Sequence, residues 1–228
     1  MNDSNTLSKK REHQNGFVEK LANGPVNFLI RHGVNPNTLS YLGFFSSVGA
    51  AIFIAIGMTH MNIFFAWISP LLLSLSGIFD VLDGSLARKS GNVSKSGAFL
   101  DSNLDRISDA TIILGLIYGG LIDYAWGFLL LFITIMISYI RSRAENEGLD
   151  IKGIGLMERA ERMIFIWVAL IIESWVYYLS DLITGMPFDL LFPILMVIYT
   201  CLLVLTIGQR IFFVFKHLNE ENELSRSD

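Results

Sequence analysis

Long apolar stretches separated by short polar ones dominate the chain after its first fifteen residues. A helix needs roughly 20 residues to cross a bilayer, and six stretches reach about that length with their flanks. They cover about 38–57, 62–82, 98–122, 126–140, 163–178 and 190–214. The fourth and fifth are the weakest apolar windows, and we expect both helices to extend into the polar sequence between Arg141 and Arg162. The pattern predicts an all-α integral membrane protein with six transmembrane helices.

The two ends of the chain have a different character. Residues 1–15 are polar without apolar periodicity, which predicts a disordered tail. Residues 16–34 predict an amphipathic helix lying along the membrane surface, with an apolar face of Phe17, Leu21, Val26, Leu29 and Ile30. Pro36 and its capping neighbours predict a helix start there. We therefore expect a six-helix domain over residues 35–217 and a polar C-terminal tail over residues 218–228.

Composition and the placement of charge support this architecture. Hydrophobic residues make up 52% of the chain and charged residues only 17%, against about 25% charged in soluble domains. Cytoplasmic segments of membrane proteins are enriched in Lys and Arg. With six spans, all 17 basic residues fall on one side. The opposite segments carry His60, Asp123, Glu173, Asp181 and Asp189 instead. We expect a multi-pass cell-membrane protein with both termini cytoplasmic and no nucleic-acid partner.

Cysteine usage excludes two kinds of site. Cys201 is the single cysteine and lies within an apolar stretch. The chain therefore has neither an intrachain disulfide nor a zinc site built from several cysteines.

The segment DVLDGSLARKSGNVSKSGAFLDSNLD places four carboxylates between two apolar stretches. A charge inside a membrane costs roughly 2.5 to 3.5 kcal/mol even on lenient insertion scales, so a ligand must offset the cost. Asp80 and Asp83 share one helical face, as do Asp101 and Asp105. A chain reversal near Asn92 would bring the two pairs together on the cytoplasmic side. Two hard cations bridged by carboxylates would resolve the repulsion and bind a phosphorylated substrate.

Small and polar residues of the same segment predict a nucleotide site beside the carboxylates. Gly84, Ala87 and Gly97 remove side-chain bulk where a ligand needs space. Arg88 offers two parallel donors to a phosphate, and Ser94 in the turn offers a further hydrogen bond. Asp109 continues the same face of the third span but lies outside the motif. For Asp109 we expect only a position at the membrane interface, without a role in the site.

The segment resembles the signature of the CDP-alcohol phosphotransferase family, DxxDGxxAR, eight residues, then GxxxDxxxD, and matches it at every position. The resemblance implies six transmembrane helices, a homodimer, and displacement of CMP from a CDP-linked donor by an alcohol with Mg2+ or Mn2+. It implies that Asp80, Asp83, Asp101 and Asp105 hold two metal ions, and that Asp105 also acts as general base. It assigns the CDP-lipid to Asn37, Asp80, Gly84, Ala87, Arg88, Ser94 and Gly97.

A second group of charges bears on the acceptor. Five arginines lie near the cytoplasmic ends of the last three spans: Arg141, Arg143, Arg159, Arg162 and Arg210, referred to below as the basic cluster. With Glu145, Glu158 and Glu161 between them, they predict an ordered phosphate pocket rather than simple membrane anchors. The sequences YIRSRAE, ERAER and QR resemble phosphatidylinositol phosphate synthases and archaetidylinositol phosphate synthases, which implies inositol 1-phosphate as acceptor. Ala160 in ERAER resembles the archaeal branch and favours a CDP-archaeol donor over CDP-diacylglycerol.

Other functions remain open from the sequence. Glycerol 3-phosphate would also need a phosphate pocket, whereas an acceptor such as serine would not need the arginines. A cation transporter would place its ion site near the bilayer midplane, often at broken helices or inverted repeats, and we find no repeat. A purely structural dimer seam would not require Asp105 for activity.

Overall fold

The computed structural model describes residues 22–227 of the chain, with side chains for residues 22–220. The described residues form helices and no strand, which confirms the all-α prediction for this part of the chain. The predicted tail over residues 1–15 and the beginning of the predicted amphipathic helix lie outside the described residues.

The helices follow one another with short connections. A first helix, α1, covers residues 22–31 of the described chain. After it come α2 (Pro36–Ala55), a 3-10 turn (Met58–His60), α3 (Ile63–Ala66), α4 (Ile68–Ser90), α5 (Lys95–Tyr118), α6 (Tyr124–Asn146), α7 (Arg159–Thr184) and α8 (Leu191–Ser227). The predicted extension of the fourth and fifth spans into polar sequence is confirmed, because α6 reaches Asn146 and α7 begins at Arg159.

Among the described residues, five helical stretches are long and apolar enough to cross a membrane: Pro36–Ala55, Ile63–Ser90, Tyr124–Asn146, Arg159–Thr184 and Leu191–Glu220. Large apolar side chains such as Phe64, Phe132 and Phe212 are exposed on them, as a lipid environment allows. Helix α5 has a similar length of 24 residues. It carries the charged residues Asp101, Asp105, Arg106 and Asp109 and is therefore too polar to count among these five stretches. The sixth span therefore stays a prediction.

Local sequence explains where the helices begin and end. Pro36 starts α2, and the side chain of Asn35 accepts a hydrogen bond from the backbone N–H of Asn37 at 3.0 Å. Asp123 caps α6 in the same way, through the N–H of Trp126 at 2.9 Å. Gly91 ends α4 with a φ of 69°, a left-handed conformation that glycine adopts without strain.

The chain divides into two compact units, and the first contains the segment 80–105. The described part of this unit covers residues 22–49 and 71–108. Its buried core is formed by Ala22, Val26, Leu39 and Leu86, with Phe79 and Leu82 packed against them. Because Leu82 and Leu86 pack into this core, α4 continues past the end predicted from hydropathy, Leu82, as far as Ser90.

The described part of the second unit covers residues 50–70 and 109–227 and contains the basic cluster. Helices α6 and α7 both pack against α8. Tyr199, Phe192 and Met196 of α8 are almost completely buried there, together with Leu130 and Ile137 of α6.

One acidic residue of the second unit is buried rather than exposed in a connection. Glu173 was assigned with His60 to the segments opposite the basic residues, and it lies inside α7, fully buried. One carboxylate oxygen lies 3.0 Å from the His60 Nε2, and the other accepts from the N–H of Phe192 at 3.1 Å. Glu173 therefore joins the 3-10 turn and the start of α8 to α7.

Candidate active site

A tight helical hairpin positions the residues of the signature. Helix α4 ends at Ser90 and α5 begins at Lys95, so the predicted reversal near Asn92 is confirmed. The N–H of Asn92 donates to the carbonyl of Ala87 at 3.1 Å. On the other side of the turn, the Ser94 hydroxyl accepts from the N–H of Gly97 at 3.0 Å and so caps α5. The turn is therefore fixed by bonds at both of its ends.

Three of the four predicted carboxylates come together across this hairpin. Asp80 of α4 and Asp101 and Asp105 of α5 each offer one oxygen, and these oxygens all lie within 4.8 Å of one another. All three residues are partly buried. We call this group the carboxylate cluster. Clustered carboxylate oxygens are the ligands that Mg2+ and Mn2+ prefer, so the residues present fit a divalent metal ion.

Asp83 takes a different position from the other three. It is buried, and its Oδ2 accepts a hydrogen bond of 2.7 Å from the hydroxyl of Ser40 in α2. It does not belong to the group within 4.8 Å. Ser40 was not among the residues predicted to form the site. Its position three residues after Asn37, on the same face of α2, was the available signal.

The small residue Gly97 lies against two residues predicted to contact the CDP-lipid. A Cβ added at Gly97 would lie 3.0 Å from the Ser94 Oγ and 3.3 Å from the Asn37 Oδ1. The structure therefore brings Asn37, Ser94 and Gly97 together at the start of α5. A larger residue at this position would press on both polar side chains.

The remaining signature residues lie along the last turns of α4. Arg88 is exposed, and its Nη2 donates to the Ser85 hydroxyl at 3.3 Å. A Cβ added at Gly84 would meet the Arg88 Nη1 at 3.4 Å, an ordinary contact. Ala87 is partly buried on the same helix. Gly84 therefore lies next to the Arg88 guanidinium.

Two members of the basic cluster lie near the end of α6 and form ion pairs one turn apart. The Arg141 Nε donates to Glu145 at 2.8 Å, and Arg143 contacts Glu147. Arg143 and both glutamates are exposed, and Arg141 is partly exposed. Such exposed pairs contribute little to stability, so both guanidinium groups are available to exchange a glutamate for a ligand.

Arg162 of the basic cluster is buried and paired. Its Nη2 lies 2.5 Å from the Asp109 Oδ2, and the two side chains are 5% and 6% exposed. The expectation that Asp109 is merely an interfacial charge is wrong, because the residue is enclosed within the second unit. The missed signal was its spacing of four and eight residues from Asp105 and Asp101, on one helical face.

Arg210 is also buried, and it binds backbone carbonyls rather than a carboxylate. Its Nε donates to the carbonyl of Ile154 at 2.9 Å and its Nη1 to the carbonyl of Ile137 at 2.7 Å. Arg159, the fifth member of the cluster, is the first residue of α7 and is partly buried. The basic cluster thus contains exposed members on α6 and buried members on α7 and α8.

Comparison with known proteins agrees with this geometry. The model of the CDP-alcohol phosphatidyltransferase family matches residues 34–205. An archaetidylinositol phosphate synthase of Pyrococcus horikoshii is 40% identical over 137 residues, which cover 60% of this chain and 69% of that protein.

Solved structures are similar over a larger share of the chain. The phosphatidylinositol phosphate synthase of Mycobacterium tuberculosis with CDP-DAG bound has a TM-score of 0.65 and 29% identity, covering 87% of this chain and 93% of that one. The same enzyme in complex with manganese and citrate has a TM-score of 0.65 and 28% identity, covering 87% and 88%. Because the family match spans most of the sequence and includes the whole signature, this chain is a transferase that belongs to the CDP-alcohol phosphatidyltransferase family.

Proposed function

We propose that this enzyme transfers the phosphatidyl-type group of a CDP-lipid to inositol 1-phosphate and releases CMP. The observation that carries the proposal is the carboxylate cluster, formed by signature residues on the α4–α5 hairpin. The similarity to enzymes named for the inositol phosphate product supports the acceptor. The CDP-DAG in one of the similar structures supports a CDP-lipid donor.

The reaction that we propose is a direct displacement at phosphorus. A hydroxyl oxygen of inositol 1-phosphate forms a bond to the lipid-linked phosphorus of the donor, and the bond from that phosphorus to CMP breaks. Asp105 accepts the hydroxyl proton, and CMP leaves with the bonding electrons. The chain's contribution is to position the two substrates and to take up this proton.

Asp80, Asp101 and Asp105 would hold two metal ions together with Asp83. A bound Mg2+ or Mn2+ supplies charge neutralisation at the phosphates. The residues assigned to the donor are Asn37, Asp80, Gly84, Ala87, Arg88, Ser94 and Gly97. The arrangement of Asn37 and Ser94 around Gly97 supports this assignment.

We assign the acceptor phosphate to the basic cluster. Guanidinium groups bind phosphate through paired donors, which supports this role for Arg141, Arg143 and Arg159. Arg162 and Arg210 would bind the phosphate through N–H groups other than those that contact Asp109 and the backbone. We further propose a homodimer with six spans, cytoplasmic termini and a cytoplasmic active site.

Product analysis of the purified enzyme tests this proposal. The enzyme would be incubated with Mg2+, either CDP-archaeol or CDP-diacylglycerol, and either inositol 1-phosphate or glycerol 3-phosphate. We expect CMP and an inositol phosphate lipid, identified by mass spectrometry. Product with glycerol 3-phosphate alone would reject the proposed acceptor, and the more efficient donor would identify the lipid.

Metal dependence can be tested separately from turnover. EDTA should abolish CMP release, and Mg2+ or Mn2+ should restore it. Binding of Mn2+ to the enzyme without substrates, followed by electron paramagnetic resonance, should weaken strongly in Asp101→Asn. Unchanged Mn2+ binding in that variant would contradict the proposed ligand set. Ion flux without CMP formation would instead favour a transporter.

A further inference from the structure

Three side chains of α8 bind the irregular connection between α6 and α7. They are Thr206, Gln209 and Arg210, which lie on one face of α8 because they are spaced by three and four residues. We call them the α8 clamp. Each reaches a different backbone group of residues 154–157, a segment that forms neither helix nor strand.

In the clamp, each of the three side chains makes one hydrogen bond with the backbone of the connection. The Thr206 Oγ1 accepts from the N–H of Met157 at 3.0 Å. The Gln209 Oε1 accepts from the N–H of Leu156 at 3.1 Å. The Arg210 Nε donates to the carbonyl of Ile154 at 2.9 Å. Backbone groups that secondary structure leaves unpaired are thus satisfied by side chains about fifty residues later in the chain.

Gly155 shows how closely the connection lies against α8. Its φ is 108°, and an added Cβ would lie 2.6 Å from the Thr206 Cγ2. Any other residue would have both a strained backbone and a clash at this position. The chain between the clamped groups therefore fits directly over Thr206.

The clamped segment leads directly into the arginines at the start of α7. Met157 is buried, and Glu158 precedes the first helical residue, Arg159. The Glu158 carboxylate accepts from the N–H of Gly153 at 2.5 Å, which closes the connection on itself. Fixing residues 154–157 thus fixes the backbone from which the Arg159 side chain extends.

We propose that Thr206 and Gln209 are positioning residues of the acceptor site, which with Arg210 hold the connection so that Arg159 meets the acceptor phosphate. This inference rests on the proposed function for the identity of the acceptor. Thr206 and Gln209 themselves touch no substrate. They act through the backbone, by removing conformational freedom before the acceptor binds.

Paired substitutions test the clamp at Thr206. Thr206→Val keeps the shape but removes the oxygen that accepts from Met157, whereas Thr206→Ser keeps the oxygen. Gln209→Met removes the second acceptor at the exposed edge of the clamp, where a folding defect is least expected. Thr200→Val is the matched control, because the Thr200 hydroxyl, like that of Thr206, donates to the carbonyl four residues earlier. It accepts from the Trp126 Nε1 at 2.9 Å rather than from the connection.

The first measurement is hydrogen exchange of the full-length enzyme, followed by mass spectrometry. We expect faster exchange in peptides covering residues 154–158 for Thr206→Val and Gln209→Met, and unchanged exchange for Thr206→Ser and Thr200→Val. Unchanged exchange in both Thr206→Val and Gln209→Met would overturn the clamp.

The second measurement is the KM of each substrate. Loss of one hydrogen bond should raise the KM for inositol 1-phosphate about 3- to 10-fold, with kcat and the KM for the CDP-lipid little changed. A merely structural role would lower the active fraction without moving this KM. Faster exchange with an unchanged acceptor KM would therefore overturn the positioning role. If the wild-type enzyme does not use inositol 1-phosphate, the proposed function fails, and the exchange measurement alone decides the clamp.

Discussion

In the proposed transfer, Asp105 both binds metal and accepts the proton of the attacking hydroxyl. Its carboxylate lies in the carboxylate cluster, and the residue is partly exposed on α5, where a substrate can reach it. Asp105→Asn keeps the size of the side chain but removes the proton acceptor. We expect kcat to fall about 10²- to 10⁴-fold, the usual contribution of a general base. The measurement is CMP release under saturating substrates.

The control for Asp105 is the same substitution at a carboxylate outside the cluster. Asp123 caps α6, and asparagine caps helices equally well. Asp123→Asn should therefore retain wild-type activity. Wild-type activity in Asp105→Asn would remove this residue from the chemistry and would favour a structural role for the cluster.

The buried pair between Asp109 and Arg162 makes a prediction about stability. Asp109→Asn leaves the Arg162 charge buried and without its carboxylate partner, which should cost about 3–5 kcal/mol. Replacing both residues by apolar ones, Asp109→Leu with Arg162→Met, should recover much of this loss. Thermal unfolding in detergent measures both effects. Asp181→Asn, on the exposed surface of α7, is the control and should leave the Tm unchanged. A wild-type Tm in Asp109→Asn would show that the pair contributes nothing.

At the scale of helices, Gly115 of α5 and Gly119, which directly follows α5, allow close packing within the second unit. A Cβ at Gly115 would lie 2.7 Å from the carbonyl oxygen of Ala51 in α2, and Gly119 approaches the carbonyl of Ile54 in the same way. This is the small-xxx-small spacing with which membrane helices bring their backbones together. Because the opposing atoms are backbone, neither can move aside easily.

Substitution by alanine tests this close approach. Gly115→Ala should lower the Tm and the yield of folded protein, because α5 must move away from α2. Gly77→Ala in α4 is the matched control, because its added Cβ meets nothing within 4 Å. Alanine is the better helix former by about 1 kcal/mol, so the control should be neutral or stabilising. An equal response of the two variants would contradict the proposed close packing.

The helices and the hairpin could be predicted from the sequence because both depend on local patterns. Apolar windows located the six long helices, and the Gly, Asn and Ser residues of the turn located the reversal. The ends of α4 and α8 were predicted too early, because the apolar windows end where charged and polar residues begin, whereas both helices continue through such residues. The bonds of Ser40 to Asp83 and of Thr206 to Met157 join residues more than forty positions apart. No local pattern encodes such contacts.

At the scale of the whole molecule, whether α5 crosses the membrane determines on which side the connections after α5 lie. If α5 crosses, the α4–α5 turn and the α6–α7 connection lie on the same side, and the α7–α8 connection lies on the opposite side. If α5 does not cross, the last two exchange sides. The placement of all 17 basic residues favours the crossing, because it puts every one of them on one side.

Single cysteines distinguish the two topologies. Cys201 would be replaced by serine, and Asn92→Cys, Asp150→Cys and Met186→Cys would be made one at a time in that background. All three positions are exposed in the structure. In sealed vesicles of one orientation, a membrane-impermeant maleimide should treat positions 92 and 150 alike and position 186 oppositely. Between positions 92 and 150 lie only α5 and α6. Opposite labelling of the two positions would therefore show that α6 crosses the membrane and α5 does not.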